Sequence, residues 1–169
     1  MVRVATVASV VLAAATGLMQ LQSGDIGGGA PVPRALMATG CGGANRSPAL
    51  TWSGAPGAVK SFAAIMHDPD APMPGGFYHW VVYNLPADTR TLAADARLTE
   101  QQLGLTTRGT PGYTGPCPPP GPAHHYILTL YALDLSQIAA DGPLTGPQVE
   151  QLIEGHVLAH AVVEGTAAR

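Results

Sequence analysis

Short runs of apolar, β-branched and aromatic residues recur along the chain, and each is bounded by glycine, proline, serine or aspartate. Such runs, separated by turn-forming residues, are typical of strands. The predicted strands are residues 49–52, 61–67, 79–85, 126–133 and 161–163. The predicted loops are residues 53–57, 68–76 and 109–115. This pattern predicts a mainly β fold.

One segment near the C-terminus has helical periodicity instead. Thr145 and Gln148 have the spacing of a capping box, and Pro147 lies where a first helical turn tolerates proline. The apolar residues that then follow at helical intervals are Val149, Leu152, Ile153 and Val157. We therefore expect one amphipathic helix that packs against a sheet.

The first residues of the chain read differently from the rest. An almost unbroken apolar stretch follows Arg3 and continues to residue 18, which is too short for an ordinary transmembrane helix. With small residues at Ala15 and Gly17, the stretch fits a secretory signal. We expect residues 1–17 to be a signal segment and residues 18–169 to form one domain that is periplasmic or secreted. If the segment is not a signal, the protein is cytoplasmic.

Composition narrows the function. Only 11% of the 169 residues are charged, whereas 21 are glycine and 16 are proline, which suits a loop-rich β domain. The net charge of -3 and the lack of any Lys or Arg run argue against nucleic acid as a partner. Cys41 and Cys117 are the two cysteines, and in an exported protein they permit one disulfide. A chain of this length does not require it, so both states stay open.

Two aspartates lie in a loop that prolines stiffen. Asp68 and Asp70 are separated only by Pro69, so the loop can hold both carboxylates at a set angle. An ordinary surface turn explains the same composition, because Asp and Pro are favoured turn residues. Spacing alone leaves both interpretations open.

Histidines open two of the predicted strands. His79 begins one, and His124 and His125 lie where the preceding loop becomes another, residues 126–133. Because side chains alternate along a strand, His124 and Tyr126 share a face and His125 points away. A single histidine at such a place is often a packed structural residue. The segments therefore carry more information together than separately.

Taken in order, these segments resemble the phosphatidylethanolamine-binding protein family, in its bacterial Raf-kinase-inhibitor-like branch. The segments that carry the resemblance are SPALTW, DPDAP, HW, GPCPPPGPAHHYILTLYALD and GHVLAHAVVEGT. The resemblance implies a central antiparallel β-sheet architecture with peripheral helices and a small cavity at one end of the sheet. The ligand-binding residues that it implies are Asp68, Asp70, Pro72, His79, Pro118, His124 and Tyr126. Residues 106–109 depart from the family, since Thr-Thr-Arg-Gly stands where an Asn-Asp-Phe-Gly-like stretch is common.

The resemblance implies a non-enzymatic protein that binds phosphate-like or phospholipid head groups. Such anions need hydrogen-bond donors in a partly dry place, and His79, His124 and Tyr126 supply them. The aspartates would accept from the imidazoles and raise their pKa values. In this interpretation there is no catalytic residue, metal or cofactor.

Alternatives from other classes are also open. Two histidines and two aspartates suit a metal-assisted hydrolase. Against it, the sequence lacks a His-Glu-x-x-His helix, a G-x-S-x-G elbow and a P-loop. The family's inhibitor members suggest a kinase or protease partner. An edge strand or the C-terminal helix would suit a homodimer.

Overall fold

The computed structural model describes residues 18–169, so the expected signal segment at residues 1–17 lies outside the described residues. The described chain forms strands in two antiparallel sheets and one α-helix. The elements, in order, are β1 (Gln20–Gln22), β2 (Leu50–Ser53), β3 (Ser61–Asp68), β4 (Phe77–Pro86), β5 (Thr91–Leu92), β6 (His124–Leu133), α1 (Gly146–Ile153) and β7 (Val157–Ala167). Short 3-10 helices cover Arg34–Leu36, Thr39–Cys41 and Glu100–Gln102.

The larger sheet has the strand order β4-β3-β6-β7, with every neighbouring pair antiparallel. Because β3 runs against both of its neighbours, its C-terminal end meets the N-terminal ends of β4 and β6. Asp68 is in register with Phe77, and His67 is in register with Ile127. Three segments that are far apart in sequence therefore converge at one edge of this sheet.

The smaller sheet, in the order β1-β2-β5, contributes to a core shared with the larger one. Trp52 of β2 meets Phe62 of β3 edge to face, with ring centroids 5.4 Å apart. Leu50, Met66 and Leu128 are buried in the same apolar cluster. The mainly β architecture with peripheral helices predicted from the sequence is confirmed.

Helix α1 begins as the sequence predicts, with the Thr145 and Gln148 capping box formed. Val149 and Ile153 are buried in a second apolar cluster, together with residues of β3 and β4. The predicted extension to Val157 is wrong. Gly155, at a φ of 80°, lies in the left-handed region just beyond the helix, and Val157 begins β7.

The strand prediction agrees with β2, β3, β4 and β6 to within two residues at every boundary. It misses the short strands β1 and β5 and gives β7 only residues 161–163, whereas β7 covers Val157–Ala167. No helix within residues 18–169 has the length and apolar character to cross a membrane.

Candidate functional site

A cavity of about 200 Å³ opens where β3 ends and β4 and β6 begin. Six of the seven residues that the sequence resemblance implies line it: Asp68, Pro72, His79, Pro118, His124 and Tyr126. The remaining surface comes mainly from the loops after β3 and before β6. The antiparallel register of the larger sheet explains this convergence, since it brings those loops to one edge.

Asp68 and His124 form a buried pair on the cavity wall. The His124 Nδ1 donates to Asp68 Oδ2 at 2.8 Å, and the two side chains are only 10% and 4% exposed. The second carboxylate oxygen accepts from the backbone N–H of Asp70 at 2.9 Å. Both bonds fix the pair, and the bond to Asp68 occupies Nδ1 of His124. The Nε2 atom is therefore the one polar atom of that ring left to contact a ligand.

His79 lies on β4, on the other side of β3 from His124, and its ring is fixed by the backbone of Thr114. Its Nδ1 lies 2.6 Å from the Thr114 carbonyl oxygen, which can only accept, so Nδ1 carries the proton. The Thr114 backbone N–H donates back to the His79 carbonyl oxygen at 2.8 Å. This reciprocal pair fixes the ring and leaves its Nε2 for other contacts.

Burial lowers the pKa of His79 to about 4, and this outweighs the hydrogen bond to Thr114 and the attraction of Asp68. His79 is therefore neutral near pH 7, and its Nε2 is an acceptor. The expectation that the neighbouring aspartates raise the imidazole pKa is wrong for this residue. Its carboxylate neighbour acts in the predicted direction, but desolvation is the larger effect.

Tyr126, the third residue of β6, also lines the cavity. Its side chain is fully buried, and its hydroxyl has no hydrogen-bond partner within residues 18–169. Its ring meets the His79 ring edge to face, with centroids 5.2 Å apart. Burial raises the pKa of Tyr126, so the hydroxyl remains a donor. A buried hydroxyl without a partner is costly, so a polar ligand group that came within hydrogen-bond distance of this atom would be stabilised.

Asp70 lies outside the cavity, contrary to the set implied by the resemblance. Its Oδ2 accepts from the backbone N–H and from Nδ1 of His125, at 2.8 and 2.7 Å. These bonds lower the pKa of Asp70 and raise the pKa of His125. Strand alternation sends His125 away from the face of Tyr126, and Asp70 follows it.

The far wall, residues 113–118, is clamped to the rest of the domain. The Asn45 Oδ1 accepts from the Gly115 N–H at 2.7 Å, and its Nδ2 donates to the Tyr113 carbonyl at 3.1 Å. Cys41 and Cys117 form the disulfide that the sequence left open. Any side chain at Gly115 would collide with backbone atoms of the 36–38 segment. Spacing gave no signal for Asn45.

Arg108 also lines the cavity, and the sequence interpretation missed it. Its guanidinium carbon lies 6.0 Å from the centroid of the Phe77 ring. The one available signal was that residues 106–109 depart from the usual family stretch. That departure puts a permanent cation at the mouth of the cavity.

A larger cavity, of about 370 Å³, lies near the other end of β4. Its lining contains Asn84, whose side chain already exchanges hydrogen bonds with Ile138 at 2.7 and 3.2 Å. No histidine lines it among residues 18–169. The smaller cavity is the better candidate site, because it brings together two histidines, the buried Asp68 carboxylate and the residue whose hydroxyl has no partner, Tyr126.

Comparison with known proteins identifies the family of this chain. Residues 22–168 match the profile of the family described as phosphatidylethanolamine-binding protein. A UPF0098 protein of Chlamydia muridarum is 39% identical over 152 residues, which cover 88% of this chain and 97% of that protein. The UPF0098 protein YbcL of Escherichia coli K12 is 45% identical over 87 residues, covering 47% of this chain and 48% of YbcL.

The solved structures agree as well. The crystal structure of Escherichia coli YbcL, described as a new member of the mammalian PEBP family, superposes with a TM-score of 0.84 at 34% sequence identity. That superposition covers 90% of this chain and 99% of the other. The fold and the strand-end cavity thus define a β-sheet protein with a small pocket in which two histidines and an aspartate lie among apolar side chains. The chain belongs to the phosphatidylethanolamine-binding protein family.

Proposed function

We propose that this protein is a non-enzymatic binding protein whose cavity takes the phosphate-type head group of a small molecule or phospholipid. The observation that carries the proposal is the fully buried Tyr126 hydroxyl, which has no partner within residues 18–169 and lines the cavity. A ligand oxygen there would complete a hydrogen bond that the protein alone leaves unmade.

The histidines complement that donor. Nε2 of His124 faces no partner within the described range, while Nδ1 is occupied by Asp68. Neutral His79 offers an acceptor, which suits a protonated ligand oxygen or an ammonium group. Phe77, Pro72 and the other apolar lining residues exclude water, which strengthens the remaining polar contacts.

The hydrolase alternative lacks comparable support. Within residues 18–169, no three His, Cys, Asp or Glu side chains lie close enough to hold a metal ion. We therefore propose binding and not hydrolysis. A kinase or protease partner and a homodimer stay predictions.

We also propose that the protein is exported. The Cys41–Cys117 disulfide supports this, because such bonds persist mainly in oxidising compartments. The proposed signal segment and the disulfide therefore point in the same direction.

Calorimetric titration with methyl phosphate tests the binding proposal. Tyr126→Phe and His124→Gln should each weaken binding by roughly tenfold or more, since each removes a contact to the anion. Tyr131→Phe is the matched control, because Tyr131 packs with the other apolar cluster, away from the cavity. Undetectable binding by the wild-type protein, or equal affinity in all four proteins, would contradict the proposal.

A further inference from the structure

In the part of the chain that the structure describes, the cavity lining carries one carboxylate and one guanidinium. Asp68 is its one carboxylate and Arg108 its one guanidinium among the described lining residues. His79 is neutral near pH 7 because burial lowers its pKa to about 4. Attraction for an anion therefore depends heavily on Arg108.

The backbone around Arg108 is anchored. The Gly109 N–H donates to the Thr106 carbonyl at 2.9 Å, which closes a tight turn, and Gly109 has a φ of 74°. On the other side, the Thr107 N–H donates to the Tyr78 carbonyl at 3.0 Å. The Tyr78 N–H donates to Thr107 Oγ1 at 2.8 Å. The turn is thus fixed to the first residues of β4, directly beside the cavity.

The side chain of Arg108 is positioned by an aromatic ring, and its guanidinium has no ion pair or hydrogen bond within residues 18–169. It lies over Phe77 at cation–π distance, and Phe77 lies against His79 with ring centroids 4.5 Å apart. No carboxylate within residues 18–169 forms an ion pair with Arg108. The charge of Arg108 acts on the cavity interior, because its repulsion helps burial to lower the pKa of His79. Its donors are therefore free for a ligand at the mouth.

The donor geometry favours one ligand class. A guanidinium fork binds two oxygens of one phosphoryl group, and the Tyr126 side chain lines the same cavity. A phosphate monoester offers three non-bridging oxygens and a charge of about -1.5 to -2. A diester, such as a phospholipid head group, offers two such oxygens and one charge.

We propose that Arg108 is the specificity-determining residue of this cavity, and that it makes the protein prefer phosphate monoesters to phosphodiesters. This inference rests on the proposed function and names the ligand class of the same site. Arg108 binds the terminal oxygens of the monoester, while Tyr126 and His124 hold the inner face of the phosphoryl group.

Calorimetric titration of methyl phosphate and dimethyl phosphate tests it at neutral pH. The wild-type protein should prefer methyl phosphate by roughly tenfold or more. Arg108→Gln should weaken the binding of methyl phosphate by roughly ten- to a hundredfold and the binding of dimethyl phosphate by less than about threefold. Arg108→Lys should restore part of the affinity, because it keeps the charge and loses the fork. Arg97→Gln, which removes an exposed charge outside the cavity, should match the wild type.

Equal losses for both esters in Arg108→Gln, or no loss, would overturn the role of Arg108. If Tyr126→Phe still loses methyl phosphate in that case, the cavity stands as the binding site and only the selectivity inference fails. If the wild-type protein binds neither ester, the proposed function fails and the inference fails with it.

Discussion

The buried carboxylate of Asp68 accepts a hydrogen bond from Nδ1 of His124 at 2.8 Å across 56 positions of sequence. Two residues along the loop, Asp70 makes the equivalent bond to His125, but on the exposed side. The same motif thus supplies one aspartate to the cavity and one to the surface. Only the first pair orients a ring that lines the site.

Asp68→Asn should weaken methyl phosphate binding by roughly tenfold. An asparagine at that position can present either its oxygen or its amide group to Nδ1, so the ring of His124 is no longer held in one tautomer. Asp70→Asn is the matched control and should bind like the wild type, because Asp70 lies outside the cavity. Calorimetric titration of both variants measures this. A larger loss in Asp70→Asn than in Asp68→Asn would contradict the assignment.

The stability of the protein should depend on pH through His79. Its pKa is about 4 in the folded protein, against 6.5 as the ordinary value. Between pH 6.5 and pH 4 the unfolded chain binds a proton at this histidine and the folded protein does not. The free energy of unfolding is therefore highest above about pH 6.5 and falls toward pH 4. The fall due to His79 is on the order of 3 kcal/mol. Urea unfolding at several pH values measures the fall.

His79→Gln supplies the comparison for that pH profile. The variant lacks the titrating ring, so its stability should fall less between pH 6.5 and 4 than that of the wild type. Other acidic groups titrate in both proteins and cancel in the difference. Parallel pH profiles would show that His79 is not held neutral by burial.

Tyr126→Phe should separate binding from stability. The hydroxyl is buried without a partner, so removing it should leave the free energy of unfolding unchanged or raise it by up to about 1 kcal/mol. Tyr113→Phe should instead cost about 1 kcal/mol, since the Tyr113 hydroxyl donates to the Leu36 carbonyl at 3.1 Å. Urea unfolding distinguishes the two. A clear destabilisation by Tyr126→Phe would mean that its hydroxyl has a structural partner.

Loss of the disulfide should destabilise the domain and loosen the cavity wall. Cys41 and Cys117 are 76 positions apart. Closing a loop of that size lowers the conformational entropy of the unfolded chain, which stabilises the folded state by about 4 kcal/mol. The double variant Cys41→Ala/Cys117→Ala should unfold at lower urea concentration and bind methyl phosphate more weakly, because Cys117 lines the cavity. An unchanged unfolding midpoint would argue against a structural disulfide.

Export predicts a mature chain that begins near Leu18 outside the cytoplasm. N-terminal sequencing of protein recovered from fractionated cells measures both properties together. An intact Met1 on a cytosolic protein would reject the signal interpretation.

Much of the site was predictable, because strand alternation is a local rule. It put His124 and Tyr126 on one face and His125 on the other, as the structure has them. It did not determine which of two aspartates faces inward, since that depends on how the loop after β3 closes against β6. Asp70 turns outward because His125 offers it two donors there.

Other features depend on packing that the sequence pattern does not encode. The pKa of His79 is set by burial, which outweighs the charge of Asp68, and residue types alone do not rank these effects. Val157 fits the helical spacing of α1 but belongs to β7, because the backbone at Gly155 turns out of the helix. Arg108 reaches the cavity only through the turn that Thr107 anchors.

A crystal structure of the protein soaked with selenate tests the central claim most directly. Selenate is a tetrahedral dianion like a phosphoryl group, and its anomalous scattering identifies it without ambiguity. The account predicts a selenium peak inside the cavity, with oxygens within hydrogen-bond distance of the Tyr126 hydroxyl and the Arg108 guanidinium. Selenate bound only elsewhere, with this cavity empty at saturating concentration, would contradict the account.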